Sequence, residues 1–217
     1  YKDTDLDVMF LSGPLQPDRV GVDFAKNLAT NFEVHGEWAY TPHETVAQVG
    51  ADGTVDSRQE AVNRAVLGVR YLTTNDITYI LEYHYNEAGK RAGEVEDFYD
   101  FIDTAHGIYE DSGDATLLRQ ARRLNKAYFS TRPLGRRYLY LRASQKEPAD
   151  LLYFTPAVTL QYNLEDESLS AIPEVIYTGY TDWELRFRLY ILSGPHDSEF
   201  GEKPNRYRLE MTARKFF

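Results

Sequence analysis

Much of the chain alternates between apolar and polar residues, the period of a β-strand with two unlike faces. In 77–86, for example, Leu81, Tyr83 and Tyr85 fall on one face and Glu82 and His84 on the other. The segments with this pattern are 32–40, 77–86, 152–163, 183–191 and 207–217, with weaker versions at 5–12, 18–28, 60–72, 137–145 and 169–180. The pattern predicts an all-β fold of about ten antiparallel strands.

The connectors between these segments alternate in predicted length. Short connectors lie near 29–31, 73–76, 146–150 and 180–182, and long ones at 13–17, 41–59, 87–136, 164–168 and 194–205. Such sorting gathers the long loops at one end of the sheet, which is typical of membrane barrels and is not expected for a soluble sandwich. The pattern therefore predicts a transmembrane, antiparallel, up-and-down β-barrel.

The segment 87–136 is too long for a structureless connector and has a different composition. Residues 94–114 include eight acidic and no basic residues, and residues 115–137 include seven basic and no acidic residues. Apolar residues recur at helical spacing in both parts. We predict an acidic helix followed by a basic helix, folded as a hairpin on or in the barrel mouth. Apolar packing is expected to stabilise it more than screened charge pairs.

Composition narrows the class of protein. The chain has 217 residues, a net charge of −10, 17 tyrosines and no cysteine, with a mean hydropathy of −0.52. The absence of cysteine excludes a disulfide scaffold, a thiolate zinc site and a cysteine nucleophile. No run approaches the length of an apolar transmembrane helix. The acidic balance without a basic run argues against nucleic-acid binding.

Aromatic residues gather at the ends of the apolar faces. Tyr40, Tyr85, Tyr162 and Tyr207 mark one end, and Phe32, Trp183 and Phe217 mark the other. Amphipathic rings prefer the two interfaces of a bilayer, so we interpret these residues as membrane-interface aromatics.

The last strand, 207–217, alternates and ends in Phe217. It resembles the terminal signature of Gram-negative outer-membrane β-barrel proteins, although Lys215 departs from it at an apolar position. The resemblance implies that Phe217 is an assembly signal for the barrel assembly machinery. It also implies a location in the outer membrane, among its lipid and lipopolysaccharide. The chain would form one barrel domain, 1–217, with 87–136 as an extracellular insert. Because it begins at Tyr1, it is expected to be a processed chain or the carboxy-terminal part of a larger barrel.

If the apolar faces turn to lipid, the polar faces line a lumen. The residues predicted there are Glu33, His35, Glu37, Arg70, Glu82, His84, Arg142, Glu174, Glu184, Arg186, Arg188, Arg208, Glu210 and Arg214. In a narrow barrel these side chains would pair and close the lumen, whereas in a wider one they would line a channel and bias its selectivity. The sequence leaves both alternatives open.

The function expected is that of a porin-like passive channel or of the membrane component of an export conduit, with a homo-oligomer or a conduit partner possible. The first alternative is a closed barrel that serves adhesion, scaffolding or surface catalysis through its loops. The second is a soluble β-barrel that binds a ligand in an apolar interior. His84 with Glu82 could form a base and its carboxylate, but no serine stands at a recognisable spacing, so we do not expect an enzyme.

No cofactor or metal is expected. The acidic run from Glu94 to Asp103 lacks the order of a calcium loop and is interpreted as a solvated helix face. The loop 194–201 is interpreted as flexible, and metal binding through His196 and Asp197 is not expected without further ligands.

Overall fold

The computed structural model describes residues 4–14, 16–130 and 133–217, which form one ten-stranded antiparallel sheet in sequential order. The predicted number of strands is confirmed. The strands are β1 (Thr4–Gly13), β2 (Gln16–Ala29), β3 (Phe32–Val49), β4 (Val55–Leu72), β5 (Ile77–Asn86), β6 (Arg137–Gln145), β7 (Phe154–Asn163), β8 (Leu169–Tyr177), β9 (Trp183–Ser193) and β10 (Tyr207–Lys215).

The register aligns the alternation of neighbouring strands, so the sheet has two chemically distinct faces. Directly paired residues share a face, and one row runs through Leu6, Phe24, Gly36, Leu67, Tyr83, Leu139 and Tyr162. The face that carries this row is called the apolar face here. The opposite face includes the row Glu33, Arg70, Ile80 and Arg142 and is called the charged face.

The predicted strict alternation of short and long connectors is wrong. β1 ends at Gly13 and β2 begins at Gln16, so 13–17 is not a long loop. Most of 41–59 belongs to strands, because β3 extends to Val49 and β4 begins at Val55. At the opposite end of the strands, the connector between β6 and β7 contains a 3₁₀ turn, Pro148–Asp150, and is longer than 164–168.

A β-bulge explains why the sequence pattern does not predict the extension of β3. Thr41 pairs with Val62 and Glu44 pairs with Glu60, so Pro42 and His43 oppose a single residue of β4. An extra residue shifts the two-residue period by one, and a bulge also tolerates the missing N–H of proline. The apolar and polar positions therefore change parity after Thr41, and the strand resembles a loop in sequence.

The predicted helical insert is confirmed. Helix α1 (Ala92–Ser112) ends at Gly113, whose φ of 73° permits its N–H to bond the Tyr109 carbonyl. Helix α2 (Thr116–Leu124) follows and continues as a π-helical turn, Asn125–Phe129. The end of the sheet that carries this insert is called the helical end here, and the other the turn end. Neither helix is long and apolar enough to cross a bilayer.

The fully buried apolar residues concentrate in the insert and where it meets the sheet. One cluster holds Val49 at the end of β3 together with Val95, Phe98, Phe101, Ala121, Leu124, Phe129 and Leu134. The rings of Phe98 and Phe129 stack with centroids 3.8 Å apart. Within the described residues no ion pair joins α1 to α2, so apolar packing holds the hairpin together, as expected.

The sheet is open in this structure. Within the described residues β1 pairs only with β2 and β10 only with β9, which leaves two free edges. Closure into a barrel therefore stays a prediction.

The stacked pair Phe98 and Phe129 leads to a first prediction. Phe98 is 2% exposed, so Phe98→Ala should leave a cavity that costs about 3–5 kcal/mol within the insert. Amide hydrogen exchange should become faster in 92–129 while the sheet keeps its protection. Tyr109→Ala, which removes a ring that is 45% exposed, is the matched control. Equal effects of the two substitutions would contradict the assigned core.

Candidate functional site: the charged face

The structure places all of the predicted lumen residues on one face. Glu33, His35 and Glu37 of β3 lie opposite residues 70, 68 and 66 of β4, which continue to 80, 82 and 84 of β5. Arg142, Glu174, Glu184, Arg186, Arg188, Arg208, Glu210 and Arg214 follow on the same face across β6 to β10. The shared face is confirmed, whereas the role of these residues in a lumen stays a prediction.

A chain of ion pairs centred on Glu174 crosses β6, β8, β9 and β10. The Glu174 carboxylate accepts bonds from Arg142 Nη2 at 2.5 Å and from Arg188 Nε at 2.9 Å. Arg188 also reaches Glu210 at 3.4 Å, and Arg208 donates to the other Glu210 oxygen at 2.8 Å. The Glu174 side chain is 4% exposed and each arginine beside it about a quarter exposed. Two guanidinium groups thus compensate the buried carboxylate.

A smaller group lies nearer the turn end on β9 and β10. Glu184 faces Arg186 at 3.2 Å and Arg214 at 3.7 Å. Together with the Glu174 chain, it brings most of the predicted residues of these strands into contact.

A histidine cluster lies on the charged face of β3, β4 and β5. Glu82 has one imidazole at each carboxylate oxygen, with His35 Nε2 at 3.2 Å and His84 Nε2 at 2.8 Å. Glu33 lies 3.5 Å from the other nitrogen of His35, Nδ1. Gly68 separates His35 from Glu82 in the register, and a Cβ there would collide with His35 Nε2. The glycine leaves the room that lets an imidazole reach across β4.

Two predicted residues remain outside these groups. Glu37 and Arg70 form no ion pair within the described part of the chain. Glu82 and His84, considered from the sequence as a carboxylate and its base, are in contact in the structure. Among residues 4–14, 16–130 and 133–217, neither His35 nor His84 bonds a hydroxyl group that could act as a nucleophile.

The aromatic residues lie on the apolar face towards its two ends. Phe32 meets Tyr71 edge to face with centroids 6.3 Å apart, and Trp38 stacks on Tyr40 at 6.1 Å. Tyr85, Tyr162, Trp183 and Tyr207 belong to the same face by register. The Lys215 ammonium lies 5.8 Å from the Trp183 ring and 5.1 Å from that of Phe217. Their function as interface aromatics is not tested by these contacts.

The sequence pattern does not predict a buried polar network that lies at the helical end. Glu199, 1% exposed, accepts bonds from the Tyr138 hydroxyl, from Asn163 Nδ2 at 3.1 Å and from the Leu134 N–H at 3.2 Å. The interpretation of 194–201 as a flexible loop is therefore wrong, because Ser198, Glu199 and Phe200 are buried. Their only signal in the sequence was Phe200, an apolar residue within a polar loop.

The insert also contacts the charged face. A groove of about 420 Å³ is lined by Glu37, Arg64 and His84 of the sheet and by Pro133 and Arg136, which follow the helices. Arg64 is paired with Glu44 through two bonds of 2.6 and 2.8 Å. The segment after α2 therefore lies beside the charged face at the helical end.

A second group of acidic residues and a histidine lies in the loop before β10. His196, Asp197 and Glu202 offer ligand atoms within 4.8 Å of one another. Asp197 lies 2.7 Å from His196 Nδ1, and Glu202 lies 3.5 Å from Nε2. The bond to Asp197 and the charge of Glu202 raise the pKa of His196. The imidazole is 73% exposed, so the group is open to solvent.

No protein-family model, curated protein or solved structure matches this chain.

The Glu174 chain leads to a second prediction. Glu174→Gln removes the charge between two arginines, so the free energy of unfolding should fall by about 2 kcal/mol. Equilibrium unfolding in urea measures this change. Glu60→Gln is the control, since Glu60 is exposed on the same face, and it should change stability by less than about 0.5 kcal/mol. A loss no larger than that of the control would contradict the role assigned to Glu174.

Proposed function

We propose that this chain forms a bacterial outer-membrane β-barrel and acts as a porin-like passive channel, or as the membrane part of a conduit, with the charged face lining the lumen. The observation that carries the proposal is the exposure of the apolar face in the middle of the sheet. Leu67 of β4 is 57% exposed and Leu81 of β5 is 47% exposed, whereas the carboxylate of Glu174 on the other face is nearly buried.

Lipid accounts for this distribution better than water does. Exposed apolar patches larger than a few hundred Å² are rare on soluble proteins and mark surfaces that contact something apolar. Here the exposed residues extend from β1 to β10, with aromatics at both ends of the strands. A soluble ligand-binding barrel would bury this face, so the same observation counts against that alternative.

A row of carboxylates favours an aqueous lumen over a closed, ion-paired one. Asp7, Asp23 and Glu37 are direct cross-strand partners on the charged face of β1, β2 and β3. Like charges in such positions repel one another, and within the described residues none of the three has an ion-pair partner. Water and mobile cations beside this row would screen the repulsion. Four arginines of this face lie on β9 and β10, and Arg19, Arg64 and Arg70 lie on β2 and β4, none of them in an ion pair with the row.

A lipid-facing sheet also requires its edges to be paired, because hydrocarbon offers no partner to free N–H and C=O groups. The two edges described are complementary. On the charged face β1 carries Asp5 and Asp7, and β10 carries Arg208 and Arg214, both more than half exposed. Our proposal includes direct antiparallel pairing of β1 with β10. A wider barrel with further strands is the alternative.

The helical insert would act as a constriction at the mouth, since Pro133 and Arg136 line a groove over the charged face. A second function, binding of a partner or of the lipopolysaccharide surface, is favoured by the charges of the helices. Arg119, Arg122 and Arg123 of α2 and Lys126 of the π-helical turn are exposed basic residues, and within the described residues none of them forms an ion pair with an acidic residue of α1. The resemblance of the last strand adds the barrel assembly machinery as the expected partner of Phe217.

The third prediction concerns passage. The protein should require detergent for its extraction and should migrate differently in gels before and after heating. It should also give discrete conductance steps in planar bilayers. Replacing 92–130 by a short Gly–Ser linker should raise the step size, because the mouth widens. The excision is feasible because Lys90 and Gly135 form a bridge across the base of the insert.

The outcomes separate the candidate functions. A protein that remains soluble without detergent would overturn the membrane proposal. Absence of conductance steps from both the natural chain and the variant that lacks 92–130 would overturn the proposed channel function. Unchanged conductance together with lost binding to lipopolysaccharide vesicles would favour the surface function.

The fourth prediction concerns closure. The natural chain lacks cysteine, so paired cysteines report proximity without background. Val8→Cys combined in turn with Leu209→Cys, Met211→Cys or Ala213→Cys should give an oxidised, faster-migrating band in one register. Leu189→Cys with Leu209→Cys, which are direct partners, is the positive control. A bond in the control alone would contradict direct pairing and favour a wider barrel.

A further inference from the structure

The groove of about 420 Å³ at the helical end of the charged face contains two charged side chains that lack an ionic partner. Within residues 4–14, 16–130 and 133–217, the Glu37 carboxylate of β3 forms no hydrogen bond and no ion pair. Arg136, just before β6, donates a bond through Nε to the Gly89 carbonyl at 3.0 Å. Its two terminal nitrogens have no acceptor in the described part of the chain. The groove therefore presents one free carboxylate and one free guanidinium that do not neutralise each other.

The other charged groups of the groove already have acidic partners. Arg64 forms two bonds of 2.6 and 2.8 Å with Glu44. The His84 Nε2 atom lies 2.8 Å from a carboxylate oxygen of Glu82. The two free charges would therefore determine which occupant fits the groove.

The two free charges belong to strands that are not neighbours. Three strand spacings of about 4.8 Å each, or about 14 Å in all, separate the backbones of β3 and β6. No ion pair joins Glu37 to Arg136, although both line the groove, so space for a solute remains between them. The volume of the groove lies within the range of small-molecule sites. A solute with charges of both signs can contact both side chains at once.

We propose that the groove binds a zwitterionic solute of dipeptide size, with its ammonium beside Glu37 and its carboxylate beside Arg136. Asp23, the cross-strand partner of Glu37, adds negative charge beside the ammonium. Asn86, whose N–H bonds the Arg136 carbonyl at 2.8 Å, adds a side-chain amide beside the carboxylate. An anion would meet Glu37 and a simple cation would meet Arg136, so a solute with both charges is complementary to both.

Apolar and small residues complete the lining of the groove. Met9 of β1 and Val66 of β4 line it, and Gly21 and Ala39 contribute little side-chain volume there. An aliphatic side chain of the solute would bury its surface against Met9 and Val66. The inference names short peptides as the solute class of the proposed channel, and in that respect it rests on the proposed function.

The probe for the test is glycyl-L-leucine, a zwitterion whose leucine side chain matches the apolar part of the lining. N-acetyl-glycyl-L-leucine lacks the ammonium charge, and glycyl-L-leucine amide lacks the carboxylate. Saturation-transfer NMR measures the binding of each peptide to the folded full chain, whether or not that chain conducts. The natural chain should bind the zwitterion about tenfold more tightly than either blocked peptide, because each blocked peptide loses a charge-assisted contact.

Two variants assign each charge of the solute to one side chain. Glu37→Gln should remove the preference for the free ammonium, so that the zwitterion and the acetylated peptide bind alike. Arg136→Gln should remove the preference for the free carboxylate, so that the zwitterion and the amide bind alike. Glu60→Gln and Arg70→Gln change exposed charges of the same face outside the groove. They are the matched controls and should keep both preferences.

The outcomes separate this inference from the proposed function. Preference for the zwitterion in a chain that gives no conductance steps would contradict the channel and support the binding site. Conductance steps without that preference would overturn the inference alone. Equal affinity of the natural chain for the three peptides, or preferences that persist in both Glu37→Gln and Arg136→Gln, would also overturn it.

Discussion

The antiparallel backbone ladder assigns every side chain of this sheet to one of two faces. A shift of one residue between two strands would move a whole strand's apolar residues to the charged side. The observed register avoids such a shift from β3 to β7, where Gly36, Leu67, Tyr83, Leu139 and Tyr162 are successive partners. The ion pairs, the histidine cluster and the exposed apolar face all follow from this alignment.

The two parts of the molecule are stabilised in different ways. The insert buries Phe98, Phe101 and Phe129 as an ordinary water-soluble core does. The sheet instead buries Glu174 between arginines and leaves Leu67 and Leu81 exposed. Burial of apolar surface contributes about 25 cal/mol per Å², and the sheet gains little of it in water. An apolar surrounding on one face would supply that contribution, which is the physical basis of the membrane proposal.

The sequence predicted most strands and the face of each charged residue, because a two-residue period is a local signal. It did not predict contacts that depend on register or on distant loops. The pairing of His35 with Glu82 requires Gly68 of the intervening strand, and Glu199 is buried only because Tyr138 and Asn163 lie beneath its loop. The extension of β3 was hidden by the bulge at Pro42 and His43, which reverses the parity.

The charged face is electrostatically uneven, and this bears on what it can do. Its β6 to β10 side carries ion-paired chains such as Arg142, Glu174 and Arg188, in which arginines outnumber glutamates, whereas its β1 to β3 side carries the unpaired row of Asp7, Asp23 and Glu37. A lumen closed by ion pairs would require partners for this row, and the arginines of β10 stand at the opposite edge. Pairing β1 with β10 brings Arg208 and Arg214 towards Asp5 and Asp7, but leaves Asp23 and Glu37 one and two strands away. Water is then their natural partner, so even a closed barrel would retain a hydrated, cation-attracting wall.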